Sequence, residues 1–170
     1  MSRMEPFLYR EVQGFRQWHT RIILAFPPAS LLFVTARQVI FHKPWGSPPA
    51  SDGGLIFLTV LLTAVYFRLV TVKLVIEIRG GELGVGLRGL WKRRRIPVRQ
   101  IQTAEAVTFD PVADFGGYGI RSGRGGQAYI AQGNCGVALS LNDGQKVIIG
   151  SQSAPELRKR ILEVRRQVNV

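Results

Sequence analysis

The sequence predicts a membrane α hairpin followed by a mainly β domain that closes on an amphipathic helix. Three observations carry that prediction. Two 20-residue apolar blocks are confined to residues 22–72. From residue 73 onward the period of apolar residues changes from helical to two-residue, and the last segment returns to a helical period.

Residues 1–21 form a basic N-terminal segment, with Arg3, Arg10, Arg16 and Arg21 against Glu5 and Glu11. Ile22–Phe41 is the first block, long enough at ~1.5 Å per residue to cross a hydrocarbon core of roughly 30 Å. Its single charge, Arg37, lies about a turn from the end, where a long side chain can snorkel to the headgroups. Pro27 and Pro28 predict a kink and leave a re-entrant dip as the alternative to full crossing. Residues 42–52 are rich in Pro, Gly and Ser and must form a loop. The second block, residues 53–72, has Arg68 near its far end. Neither block carries polar residues at the three- and four-residue spacing of a half-solvated helix, and a 170-residue chain cannot build a core that surrounds both. A cleaved signal peptide is not expected, because the apolar run begins after 21 polar residues and no small-x-small site follows it.

The formal charge of +12 predicts attraction to polyanions. Four cations precede the first block, Lys43 alone lies in the loop, and eight fall between Lys73 and Arg99. By the positive-inside rule the N-terminus and a domain over residues 73–170 are cytoplasmic, with the loop around Trp45 outside. Cys135 is the only cysteine, which excludes an intrachain disulfide and fits a reducing compartment. His19 and His42 have no ligand-spaced partner, so no metal or other cofactor is expected.

Strands are predicted over 72–79, 83–87, 91–98, 101–109, 128–131, 136–141 and 146–149, with Asp143-Gly144 as a hairpin turn between the last two. Ser153 and Glu156 have the spacing of a capping box, and Leu157, Ile161, Leu162, Val164 and Val168 give the helix after them an apolar stripe. Six or seven antiparallel strands and one terminal helix outline a PH-like β-barrel or roll, with the helix plugging one open end.

Particular segments resemble a family. Ile96-Pro97-Val98-Arg99-Gln100-Ile101 before a strand, and Ser153-Ala154-Pro155-Glu156-Leu157 at the helix start, are similar to bacterial PH-like domains in general. Gly116-Gly117-Tyr118-Gly119-Ile120-Arg121 and Gly133-Asn134-Cys135-Gly136-Val137 resemble a narrower group: small bacterial membrane proteins of unknown function with two N-terminal transmembrane helices and a PH-like domain. The resemblance spans about residues 6–165 and implies a fold and an inner-membrane location. It implies no activity and no catalytic residues.

Two stretches are candidates for binding. Lys92, Arg93, Arg94 and Arg95 are four consecutive cations some 20 residues beyond the second block, where anionic lipid headgroups are the expected contact. Residues 115–136 hold eight of the 19 glycines together with Arg121 and Arg124. A glycine-rich backbone flanked by arginines can form an amide nest for phosphate or carboxylate. The bland explanation is that the glycines serve turns and bulges of a curved sheet, and no P-loop or dinucleotide fingerprint is present. Nucleic acid is not expected, because no basic groove is interleaved with aromatics. Asp110 and Asp114 flank Pro111 in a loop and Cys135 has no nearby histidine, so no catalytic residue is assigned. The expected function is a non-enzymatic module for protein or anionic-lipid interaction. A small-anion receptor or enzyme built on residues 115–136 is the alternative.

Overall fold

The computed structural model describes residues 8–15, 18–89, 93–123 and 126–168. The chain divides into two compact units, a helical unit over Gln17–Thr71 and a β unit made of Met1–Arg16 together with Val72–Val170.

The helical unit is a hairpin of α1 (Trp18–Val39) and α2 (Asp52–Val70), each long and apolar enough to cross a membrane. Helix α1 continues through Pro27 and Pro28. Ser51 caps α2 by accepting from the Gly54 amide at 3.2 Å. The few polar side chains are used between the helices. Thr35 and Thr59 share a hydroxyl bond of 2.7 Å, and Thr59 donates to the Leu55 carbonyl at 2.8 Å. Gln38 is buried and saturated: its amide donates to the Ala50 carbonyl and to Asp52, and its carbonyl accepts from the Trp45 amide. The large apolar side chains face outward instead, Phe26 at 72% and Phe57 at 68% exposure among them.

The β unit has nine strands in two sheets. The first sheet consists of β1 (Tyr9–Gly14), β2 (Lys73–Arg79), β3 (Glu82–Arg88) and β4 (Arg94–Pro97), all antiparallel and in sequence order. Strand β1 comes from the N-terminal segment, where no strand was expected. It pairs with β2 from Tyr9↔Ile78 to Gly14↔Lys73, so the two ends of the hairpin insertion leave from neighbouring positions of one sheet. The second sheet contains β5 (Ile101–Thr108), β6 (Gly119–Gly123), β7 (Gly126–Ile130), β8 (Cys135–Leu141) and β9 (Lys146–Gly150), in the order β5-β8-β9-β7-β6. Two expectations are corrected here. Strand β6 adds to the expected set, and β7 pairs with β9 in parallel, so the strands are not all antiparallel. The described strands form two open sheets and no closed barrel.

The core lies between the sheets and α4 (Ala154–Val168). Leu74, Ile76 and Ile78 alternate inward from β2 and meet Leu83 and Val85 of β3, Leu139 of β8 and Ile149 of β9. Helix α4 adds Leu157, Ile161 and Val164 at helical spacing, the stripe the sequence predicts, while Val168 remains exposed. The expected capping box does not form. The Ser153 amide donates to Ser151 Oγ, and Glu156 pairs with Arg160 at 2.8 Å. A smaller cluster of Phe115, Ala128 and Ile130, with Phe109, Tyr118 and Ile148, covers part of the other face of the second sheet beneath the short α3 (Pro111–Phe115).

Candidate functional site

The four-cation run is divided by the alternation of β4. Arg94 lies opposite Val85 and therefore on the core-facing side, and its guanidinium reaches across to Gln127 of β7 and, at 2.6 Å, to Gln145 just before β9. It ties the two sheets together. Arg95 lies opposite Gly84 on the outer side and is largely exposed, with Glu82 at 3.8 Å. Arg93 pairs with Glu77, and its backbone packs on Gly86, where an added Cβ would come within 2.9 Å of the Arg93 Cα. Lys92 lies outside the described residues.

Because directly opposed residues of antiparallel strands share a face, the register defines the outer face of the first sheet. Arg10 and Glu77, Val12 and Val75, and Gly14 and Lys73 are opposed across β1 and β2. Lys73 and Arg88, and Arg79 and Glu82, are opposed across β2 and β3. Among the described residues, Arg10, Lys73, Arg79, Arg88 and Arg95 therefore share one face with two carboxylates, Glu77 and Glu82. The linear run marks part of this surface. Lys73, Arg79 and Arg88 are separated in sequence and become neighbours only through strand pairing.

The glycine-rich segment is built differently from an anion nest. Gly116 ends α3 in the left-handed region, its amide donating to the Val112 carbonyl at 2.9 Å, while the Gly117 amide donates to the Pro111 carbonyl at 2.7 Å. Those two amides are consumed by the helix stop. Gly126 and Gly136 permit close approach of strands: a Cβ would stand 2.1 Å from the Lys146 carbonyl oxygen at the first and 2.3 Å from the Ile149 oxygen at the second. Arg121 folds back on the turn before β6, Nε donating to the Tyr118 carbonyl at 3.0 Å. Arg124 lies outside the described residues. Nothing described joins Arg121 to the cations of the first sheet.

Asp110 and Asp114 turn out to be helix caps. Asp110 accepts from the Val112 and Ala113 amides at 2.8 and 3.0 Å, and Asp114 accepts from the Asp110 amide at 2.8 Å. Those backbone bonds, Ala113 first, hold the Asp110 carboxyl below its ordinary pKa. Cys135 is exposed beside Asn134.

One polar cluster was not foreseen. Glu11 of β1 accepts from Tyr9 Oη at 2.7 Å, Gln13 Nε2 at 2.9 Å, Ser151 Oγ at 2.6 Å and the Gln152 amide at 2.8 Å. Gln13 also donates to the Gly150 carbonyl at 2.8 Å. Burial raises the Tyr9 phenol well above its usual pKa, and its hydrogen bond to Glu11 adds to the effect. The cluster fastens the N-terminal strand to the turn between β9 and α4. The only hint of it in the sequence is the alternation of Tyr9, Glu11 and Gln13, three polar residues on what becomes the inner face of an edge strand.

Among the described residues no group of three or more His, Cys, Asp or Glu side chains is arranged to hold a metal. No family model matches the chain, and no curated protein is significantly similar to it.

Proposed function

We propose that the chain is an integral protein of a bacterial inner membrane that presents its β unit at the cytoplasmic surface as a non-enzymatic module for protein or anionic-lipid interaction. The observation that carries this reading is the polarity of the hairpin. Its aromatic and aliphatic side chains point outward while Thr35, Gln38 and Thr59 are satisfied within it, the arrangement hydrocarbon favours and water does not. The low cation count of the loop against both flanks supports the orientation. Pairing of β1 with β2 supports the hairpin topology, because strands on either side of it can pair only if both lie on one side of the bilayer, and the cation count alone selects the side.

The β unit fits a variant of the PH-like fold. A sequential four-stranded sheet, a second sheet and a terminal helix packed on the shared core support that assignment. Strand β1, β6 and the parallel β7–β9 pair are departures from the seven-strand outline. The anion-receptor alternative gains no support, since the first glycine amides of residues 115–136 are used internally.

The lone exposed cysteine supplies the test. In bacterial cells expressing the full chain, the protein should resist carbonate extraction, and Cys135 should react with a membrane-impermeant maleimide only after lysis. An Ala50→Cys substitution in a Cys135→Ala background should react in intact cells. Extraction by carbonate overturns membrane insertion; labelling of Cys135 in intact cells overturns the orientation.

A further inference from the structure

One row of the basic face is left uncompensated. Lys73 of β2 and Arg88 of β3 are directly opposed, both are exposed, and neither side chain forms an ion pair or hydrogen bond with any described residue. Like charges opposed in this way repel. The two carboxylates of the face are engaged elsewhere, Glu77 by Arg93 and Glu82 beside Arg95. Gly14, the third member of the row, has nothing within 4 Å of where a side chain would begin, so the row is open on the β1 side.

The row also has a particular place in the chain. Val70 is the last residue of α2, Thr71 caps it, and β2 begins at Lys73. Three peptide links carry Lys73 no more than about 11 Å from the helix end. Gly14, opposite Lys73, is four residues before the first residue of α1. On the membrane-inserted reading proposed above, on which this inference rests, the chain itself keeps Lys73 within about 11 Å of the membrane end of α2.

We infer that Lys73 and Arg88 form a clamp for the phosphate of an anionic phospholipid. A phosphodiester between them relieves the repulsion, the guanidinium offering a two-pronged donor and the ammonium a point charge. The lipid is the source because a covalent path of at most about 11 Å from the end of α2, with a long lysine side chain able to reach back, keeps the ammonium within reach of the headgroups.

The test uses the full chain in detergent, titrated with phosphatidylglycerol or phosphatidylcholine and followed by native mass spectrometry. The wild type should retain phosphatidylglycerol in preference. The Lys73→Gln/Arg88→Gln double variant should lose about thirtyfold in apparent affinity, on the scale of two surface cations near anionic lipid. Lys73→Arg/Arg88→Lys should keep the preference. Arg121→Gln/Lys146→Gln, which removes the same charge from the other sheet, should stay within about twofold of wild type, and glycerol phosphate should not displace the lipid. An equal loss in that control pair, no loss in the first double variant, or displacement by glycerol phosphate overturns the clamp. Flotation with phosphatidylcholine vesicles separates the two ideas: a chain that does not float overturns the hairpin reading, and one that floats without a phosphatidylglycerol preference overturns the clamp alone.

Discussion

Glu11 does at residue scale what the strand ladder does for the backbone. It gathers a hydroxyl from β1, a hydroxyl and an amide from the β9–α4 turn, and a side-chain amide two residues on. Glu11→Ala leaves Ser151 Oγ and the Gln152 amide without their acceptor and should cost about 2 kcal/mol, the scale of charge-assisted bonds in a partly buried setting, read as a lower denaturation midpoint of the full chain in detergent. Tyr9 gives the cluster a pH signature. Its folded pKa lies above the unfolded value of roughly 10, so its contribution is complete below the unfolded pKa and is lost progressively as pH rises from there through the folded pKa. The alkaline loss of stability should therefore be smaller in Tyr9→Phe, measured by thermal melts between about pH 9 and 11. Glycine substitution separates packing from flexibility. Gly126→Ala places a Cβ against the Lys146 carbonyl and should destabilise by about 3 kcal/mol or more, whereas Gly144→Ala meets open space and bears only the left-handed backbone, about 1 kcal/mol. The glycines of residues 115–136 were legible as turn and bulge residues. Which of them admit a neighbouring backbone was not, because that depends on how β7 and β8 flank β9.

At the scale of elements, local period was readable and pairing was not. The strands at 73–79, 101–108, 135–141 and 146–150 announce themselves by alternation, and α4 by its stripe. Strand β1 did not, because its inner face carries Tyr9, Glu11 and Gln13 in place of aliphatics, and its partner lies beyond an inserted hairpin. The parallel β7–β9 pair escaped for the same reason: register between distant strands is a tertiary property. The edge of β5 shows how α4 contributes beyond its apolar stripe. Arg158 donates to the Ala104 carbonyl at 3.0 Å and Arg165 to the Gln102 carbonyl at 2.6 Å, two carbonyls of β5, the edge strand of its sheet. Exposed edges invite pairing with another chain. Arg158→Ala/Arg165→Ala should uncover this one and raise self-association of the full chain, seen by size-exclusion chromatography with light scattering; an unchanged mass at the same concentration would show that the edge is protected by other means.

At the scale of the whole molecule, the β unit is discontinuous. Strand β1 is synthesised before the hairpin and its partner β2 after it, yet the two pair over six positions ending at Gly14↔Lys73. On the membrane reading the sheet can close only when both helices have inserted with their outer ends on one side, which makes folding of the β unit a check on topology. The apolar blocks and the charge asymmetry were visible in the sequence; this dependence was not, since it follows from one strand pair. It predicts a failure of a specific kind. Adding several arginines to the loop 42–52, so that the hairpin loop is retained on the cationic side and α1 fails to cross, should strand the N-terminal segment on the opposite side from residues 73–168. The protein would then lose β1, the Glu11 cluster and the cover of the β2 edge together. Limited proteolysis of membranes opened by mild detergent should give a resistant fragment from the β unit in the wild type and none in the loop variant. The Glu11→Ala variant should retain the fragment with reduced resistance. Equal resistance in the loop variant, with altered topology verified by Cys135 labelling, would show that the second sheet and α4 fold without the N-terminal strand.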